Sequence, residues 1–434
     1  MIGRGTPSNQ SRIPRPIIWI PLYCYRKTFA FYESQPLYSR GGTLLEFAIF
    51  IHSCLDSVDV RRFLRCPRRG LRIELAMVAM TALVTSCASG PPSSEPPATS
   101  PVQVRGMIEK SLPRNASDRA GWAADMYAVF TALEIEPTHE NVCAVVAVIE
   151  QESGFHVDPV IPRMPAIAWR EIDGRAEHAG VPRLIVHTAL QLKSRTGRSY
   201  TERIDSARTE KDLSDIYEDF IGAVPLGPTL FAERNPIRTR GPMQVNIAFV
   251  EQFAAARSYP YPVKSSIADE AFLRRGSLYF GTAHLLAYPA SYDAYLYRFA
   301  DYNAGQYASR NAAFQRAVNS ASGIPVVPDG ALLPHGGDVK APGGTELAVR
   351  ALGKRLNMGD SAIHNALEQG KTAEFERTQL YRGIFTLADR AQGQPLPRAA
   401  IPRIQLHGPK IARSLTTEWY AHRVDQRFKR CVEQ

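Results

Sequence analysis

Residues 144–155 read AVVAVIEQESGF, an apolar run to Ile149 followed by Glu150, Gln151 and Glu152, with Ser153 and Gly154 before Phe155. Val142, Val145, Val148 and Ile149 recur at three-and-four spacing, so the segment from Asn141 reads as an amphipathic helix. The next step of that stripe falls on Glu152, whereas Glu150 aligns with Cys143, Val146 and Ala147, about 160° away at about 100° per residue. Glu152 is therefore expected on the inward face of the last turn, and Gly154, as helix terminator, sets it at the mouth of a cleft. A carboxyl pressed against apolar neighbours resists ionisation, so Glu152 is expected to hold a proton near neutral pH and to serve as a general acid. A single glutamate at a helix end is most often solvated, so the rest of the chain has to supply its company.

The surrounding pattern is helical. Asp118–Ile135 places Trp122, Met126, Val129, Phe130 and Leu133 on one face, and Thr138 offers an N-cap for the helix that runs to Gln151. Further helical patterns cover Thr201–Phe220, Ile247–Ala256, Asp269–Ala287, Tyr292–Tyr302, Asn311–Asn319, Thr345–Leu356, Ser361–Leu367, Glu374–Ala391 and Leu415–Arg427. Strand-like alternation is sparse and internal repeats are not evident. The fold class expected is mainly α.

Two stretches downstream complete the motif set: RTRGPMQVNIAF, with Gly241-Pro242-Met243-Gln244-Val245, and FADYNAGQYASRN, with Tyr302-Asn303-Ala304-Gly305. The ordered trio of Glu152-Ser153, the GPMQ turn and the YNAG turn resembles the lytic transglycosylase family of the lysozyme-like superfamily. There an ES at a helix end, a GLMQ turn and a YNAG turn stand on three sides of one cleft. The resemblance spans about residues 141–308. It implies Glu152 as catalytic acid, Ser153 beside it, Met243 and Gln244 lining the groove, Tyr302 bonding or orienting the glutamate, and Asn303 near the sugar. The implied domain covers 104–322, with a long insertion at 156–238 that could roof the groove, gate it or dock a partner, and a helical accessory region at 323–434. Pro242 departs from the family pattern, where Leu is usual. Arg234, Arg238 and Arg240 offer either carboxylate recognition along a peptidoglycan strand or a solvated basic loop.

The chemistry implied needs one acid. Glu152 protonates the oxygen between N-acetylmuramic acid and N-acetylglucosamine, the substrate's acetamido group supports the positive charge, and the resulting carboxylate takes the proton of the muramyl 6-hydroxyl as the 1,6-anhydro ring closes. A lysozyme-type hydrolase on the same fold would instead need a second carboxylate to activate water, with Asp158 and Asp301 as candidates. A non-catalytic lipoprotein that grips glycan strands or a partner is a third class.

The charge distribution bears on the partner. Of the formal +10 carried by the 434 residues, residues 1–86 hold 12 basic against 5 acidic side chains, leaving 40 against 37 for the remainder. The basicity lies mostly in the leader, so no nucleic-acid partner is expected. Residues 1–70 carry apolar bursts too short to span a bilayer. Then Arg68, Arg69 and Arg72 precede an apolar segment from Leu75 to Val84, and small residues lead to Cys87, the layout of an export signal. Val84-Thr85-Ser86-Cys87 resembles a bacterial lipobox, which implies that 71–86 is cleaved and that Cys87 is acylated. By the same resemblance, Ala88 in place of Asp implies the outer membrane, facing the periplasm. Residues 1–70 then read as an extension upstream of a true start at Leu71, and Pro/Ser-rich residues to about 103 as a tether. The lipobox together with VIEQESGF and RNPIRTRGPMQV is also similar to a family of bacterial lipoproteins without an assigned function.

Cys24, Cys54, Cys66 and Cys87 all lie in the leader or at its cleavage point, which leaves Cys143 and Cys431 in the body. A disulfide between them is permitted in an oxidising envelope, but a buried free thiol is the expectation for Cys143. No CxxC pair, HExxH, GxxxxGK[ST] or GxSxG occurs, so neither a metal nor a cofactor is expected. The Gly-rich PHGGDVKAPGGTE lacks the strand and helix context of a phosphate cradle and reads as a loop.

Overall fold

Three helices open the described chain: α1 (Pro101–Ser111), α2 (Arg119–Ala132) and α3 (His139–Glu152). The computed structural model describes residues 100–223, 235, 237–334, 341–406 and 414–434, all within the unit Glu95–Gln434. The leader, the export signal and Cys87 lie outside these residues. Thr138 caps α3 as expected, its hydroxyl accepting the Asn141 N–H at 3.1 Å. The stripe read from the sequence is nevertheless too narrow. Val142 to Ile149 are buried without a break, so α3 is a central helix enclosed on all sides. Gly154, at φ +58°, closes it by returning its N–H to the Ile149 carbonyl at 3.0 Å.

The segment expected as an insertion follows as α4 (Met164–His178), α5 (Arg183–Ala189), α6 (Tyr200–Ser206) and α7 (Glu210–Ala223). It has its own small core around Ala168, Tyr200, Ile204 and Ile216. The single helix expected over Thr201–Phe220 is broken in two. Ala207 turns extended, and the Asp212 carboxylate captures the N–H groups of Arg208 (2.8 Å) and Thr209 (3.1 Å), starting α7 afresh.

A two-residue hairpin, β1 (Thr239–Arg240) with β2 (Val245–Asn246), pairs Thr239 with Asn246 and Arg240 with Val245 antiparallel, and the GPMQ residues form its turn. Asn246 caps α8 (Ile247–Ala256), then come α9 (Ile267–Glu270), α10 (Arg274–Leu286), α11 (Tyr295–Ala304) and α12 (Ala308–Ser322). α10 and α11 join α1–α3 in the first core. α12 opens a second, built with α13 (Gly344–Arg350), α14 (Gly353–Leu356), α15 (Asp360–Glu368) and α16 (Gln379–Gln392) around Phe314, Phe375, Ile384 and Phe385. Fully buried Arg310 fastens this lobe by donating to the carbonyls of Gly370 (2.6 Å) and Thr372 (2.7 Å).

The chain's end does not stay in that second lobe. After the short pair β3 (Gln405–Leu406) and β4 (Leu415–Thr416), helix α17 (Thr417–Val432) returns to the first core and packs along α3 and α11 through Tyr420, Ala421, Val424 and Cys431. The buried free thiol expected at Cys143 is corrected here: Cys143 and Cys431 form a disulfide across 288 residues, with Cα atoms 5.5 Å apart. Both sulfurs sit on buried faces that packing has already brought together. His139, Cys143 and Cys431 come within 4.8 Å of one another, but the two sulfurs are bonded to each other. No helix among the described residues is long and apolar enough to cross a membrane.

A cross-link closing so long a loop constrains the unfolded chain strongly. Replacing both cysteines by Ala is expected to cost roughly 2–5 kcal/mol of folding stability, read by urea unfolding, and non-reducing peptide mapping is expected to recover the Cys143–Cys431 pair.

Candidate functional site

The last turn of α3 answers what its two acids do, and both engage α17. Glu150 lies 3.4 Å from the guanidinium groups of Arg427 and Arg430. Half-buried Glu152 accepts a hydrogen bond from the Tyr420 hydroxyl at 2.6 Å. Burial and the adjacent Glu152 carboxylate push the Tyr420 pKa well above the usual tyrosine range, so its hydroxyl stays a donor. One turn earlier, Thr417 donates to Asn303 Oδ1 at 2.7 Å, so the first turn of α17 touches both the helix-end acid and the YNAG turn.

Tyr302, expected to bond or orient Glu152, donates its hydroxyl hydrogen bond to the Met243 carbonyl at 2.7 Å. It thereby locks the YNAG helix end to the GPMQ turn. Burial, and then the nearby Glu152 charge, hold its pKa well above the ordinary value. Three segments distant in sequence are thus linked: α17 holds Glu152 through Tyr420 and Asn303 through Thr417, and the Tyr302–Met243 bond ties the YNAG turn to the GPMQ turn.

Met243 does not line a groove. It is fully buried, and a Cβ added to Gly281 of α10 would lie 2.4 Å from its Sδ, so its side chain is a plug beneath the turn. Gln244 is held in the left-handed region (φ 51°), its side chain accepting from Thr239 Oγ1 (2.8 Å) and donating to Glu210 Oε2 (3.0 Å). Ser153 turns its hydroxyl back onto the Ile149 carbonyl at 3.2 Å, while Asn303 remains exposed.

The other charged candidates are occupied elsewhere. Arg240 is 3% exposed and bonds Asp269 (2.7 Å) and Glu218 (3.0 Å), so it braces the hairpin and is not a surface carboxylate receptor. Arg238 is exposed, and Arg234 lies outside the described residues. Asp301 is not a water-activating base. It is 1% exposed and accepts the hydroxyls of Tyr288 (2.9 Å) and Tyr292 and the N–H groups of Tyr307 (3.1 Å) and Ser309 (2.6 Å), which makes it the anchor for the start of α12. Asp158 faces Thr209 and Lys211 within the insertion, where desolvation pushes its pKa up.

Sequence reading missed three residues: Tyr420, Thr417 and Glu210. The stretch TTEWY carried the capping signal of a helix start, but nothing local in it announces that α17 returns to α3. Glu210 opens α7 and reaches Gln244, so the insertion braces the motif turn directly.

Gly241 has φ +71°, and a Cβ there would lie 2.0 Å from the Ala271 carbonyl oxygen. Gly241→Ala is expected to destabilise the fold by roughly 1–3 kcal/mol, measured as a shift in the urea midpoint. Behind Tyr302, burial pushes His284 down to about 4, so its imidazole is neutral in the folded protein. The unfolded chain takes up that proton first, near pH 6.5, so stability is full above this value and falls as pH drops toward about 4, by about 3 kcal/mol in total. His284→Gln is expected to flatten that dependence in pH-resolved melts.

The chain is 49% identical over 361 residues to "Uncharacterized protein YaiW" of Escherichia coli (strain K12), covering 83% of this chain and 98% of that protein. No solved structure matches. A family model described as "Protein of unknown function (DUF1615)" matches residues 115–434, and the chain belongs to that family.

Proposed function

We propose that the protein is a peptidoglycan lytic transglycosylase of lysozyme-like type, held at the outer membrane by acylated Cys87 and cleaving the bond between N-acetylmuramic acid and N-acetylglucosamine. The observation that carries this reading is the linkage at one carboxylate. Glu152 ends a buried helix, the Tyr420 hydroxyl donates to one of its oxygens, and the same helix α17 holds Asn303 of the YNAG turn, which the Tyr302–Met243 bond ties to the GPMQ turn.

Each residue then has a stated task. Glu152 in its acid form delivers a proton to the bridging oxygen as the C1–O bond breaks, and the substrate's acetamido oxygen shares the charge left on C1. The Glu152 carboxylate next removes the proton of the muramyl 6-hydroxyl, whose oxygen bonds C1 and closes the anhydro ring, so the glutamic acid is regenerated. Tyr420 fixes the direction of the Glu152 carboxyl throughout. Asp301 is consumed by its own hydrogen bonds, which favours the single-acid route over a water-activating second carboxylate.

The experiment is digestion of sacculi followed by mass spectrometry of the muropeptides. Anhydro ends are the expected products. Glu152→Gln is expected to lower turnover about 10²–10⁴-fold without changing the melting temperature, and unchanged turnover overturns the reading. Products with reducing ends would assign the protein as a hydrolase. Tyr420→Phe is expected to lower turnover roughly 10- to 100-fold, the equivalent of ~1.5–3 kcal/mol for a hydrogen bond to a charged group.

A further inference from the structure

The insertion carries a surface that the cleavage reaction does not use. Helix α5 buries none of its residues, yet it is firmly placed. His187 stacks on Trp169 with ring centroids 4.7 Å apart and bonds Asp173 at 2.8 Å, and the Thr201 N–H holds the buried Leu190 carbonyl at 2.9 Å. With that side fixed, Leu184 stands 79% exposed and Ile185 59%, with Leu192 at 64% and Val181 at 38% beside them in sequence. A mobile loop could fold such side chains away from water. A pinned helix cannot.

The charges carried by this segment itself are of one sign. Residues 178–201 contain no Asp or Glu, while Arg183, Lys193, Arg195 and Arg198 are all exposed. Neighbouring elements supply acids, Glu177 at 3.2 Å and Asp173 at 3.9 Å from Arg183, and Asp219 at 3.5 Å from Arg195. These contacts leave Arg183 61% and Arg195 78% exposed, so the cations still face water. Exposed Leu and Ile rimmed by Arg and Lys match the boundary of an anionic bilayer, where apolar side chains enter the acyl layer and cations meet lipid phosphates. A protein interface centre is poorer in Lys, and a merely solvated loop gains nothing from a fixed Leu-Ile pair.

We propose that segment 181–198 is a membrane-docking element for anionic phospholipid. It acts independently of the cleavage chemistry and of any acyl chain on Cys87.

The test uses the chain as it stands after the expected cleavage, residues 87–434 with Cys87→Ser, so that neither the apolar signal nor an acyl anchor contributes, and the same chain with Leu184→Gln, Ile185→Gln and Leu192→Gln together. Binding is read by flotation with vesicles of phosphatidylcholine containing a minority of phosphatidylglycerol. The parent is expected to float with these vesicles, less so at high salt and less so on pure phosphatidylcholine. The triple variant is expected to partition at least about ten-fold more weakly, with an unchanged melting temperature because all three side chains face solvent. Equal flotation of parent and variant, or no flotation of either, overturns the proposal. Concentration-dependent association of the parent that the variant loses, without vesicle binding, assigns the tip to a contact between two copies and also overturns it. Digestion of soluble glycan strands is expected to be equal in parent and variant, so this result stands apart from the outcome for Glu152.

Discussion

The contact between α17 and α3 governs the rest of the molecule. A helix buried on every side, as α3 is from Val142 to Ile149, must be enclosed by partners, and the chain's last helix supplies one wall. That wall is secured three times along its length: Thr417 and Tyr420 at one end on Asn303 and Glu152, Arg427 and Arg430 on Glu150, and Cys431 on Cys143. The apolar contacts hold the helices side by side. The polar ones fix rotation and register, because a hydroxyl-to-carboxylate bond at 2.6 Å tolerates little sliding.

The disulfide and the Tyr420–Glu152 bond lie on the same pair of helices, so they are mechanically linked. Cys431 is three turns along α17 from Tyr420, and Cys143 is near the start of α3 while Glu152 ends it. A covalent tie at one end of the pair and a hydrogen bond at the other prevent the two helices from splaying. The Glu152 carboxylate therefore owes its orientation to residues at the far end of the chain.

Local signals in the sequence were enough for much of the fold. The Thr138 cap, the Gly154 stop, the α8 boundaries Ile247–Ala256 and the mainly helical class follow from propensity and periodicity, and the structure has them. What was not legible depends on long-range placement. Periodicity marks a stripe, yet neighbours decide how much of a helix is covered, so α3 reads as amphipathic and is buried all round. Cys143 looks like any small buried residue until the segment at 431 is laid beside it. Asp301 and Arg240 look like free charges because their four and three captors come from other elements. Motif order did pair the GPMQ turn with the YNAG turn, which the Tyr302–Met243 bond joins. The donor roles went differently, with Tyr302 spent on Met243 and Tyr420 taking its place at Glu152.

The insertion and the second lobe reach the site by different routes, and the difference follows from where the chain enters and leaves each. The insertion returns into β1, so α7 lies against the hairpin: Glu210 holds Gln244, while Ser214 and Glu218 hold Arg240. Any shift of α7 must move the GPMQ turn with it. The second lobe starts from α12, whose first turn is bound by Asp301 one residue before Tyr302, and it hands the chain on to α17. Packing in that lobe thus bears on the site from both sides, through Asp301 to the YNAG turn and through the path of the chain to Thr417 and Tyr420. A closed covalent loop from Cys143 to Cys431 encloses both insertion and lobe. Neither can rearrange freely without pulling on the helix pair that presents Glu152.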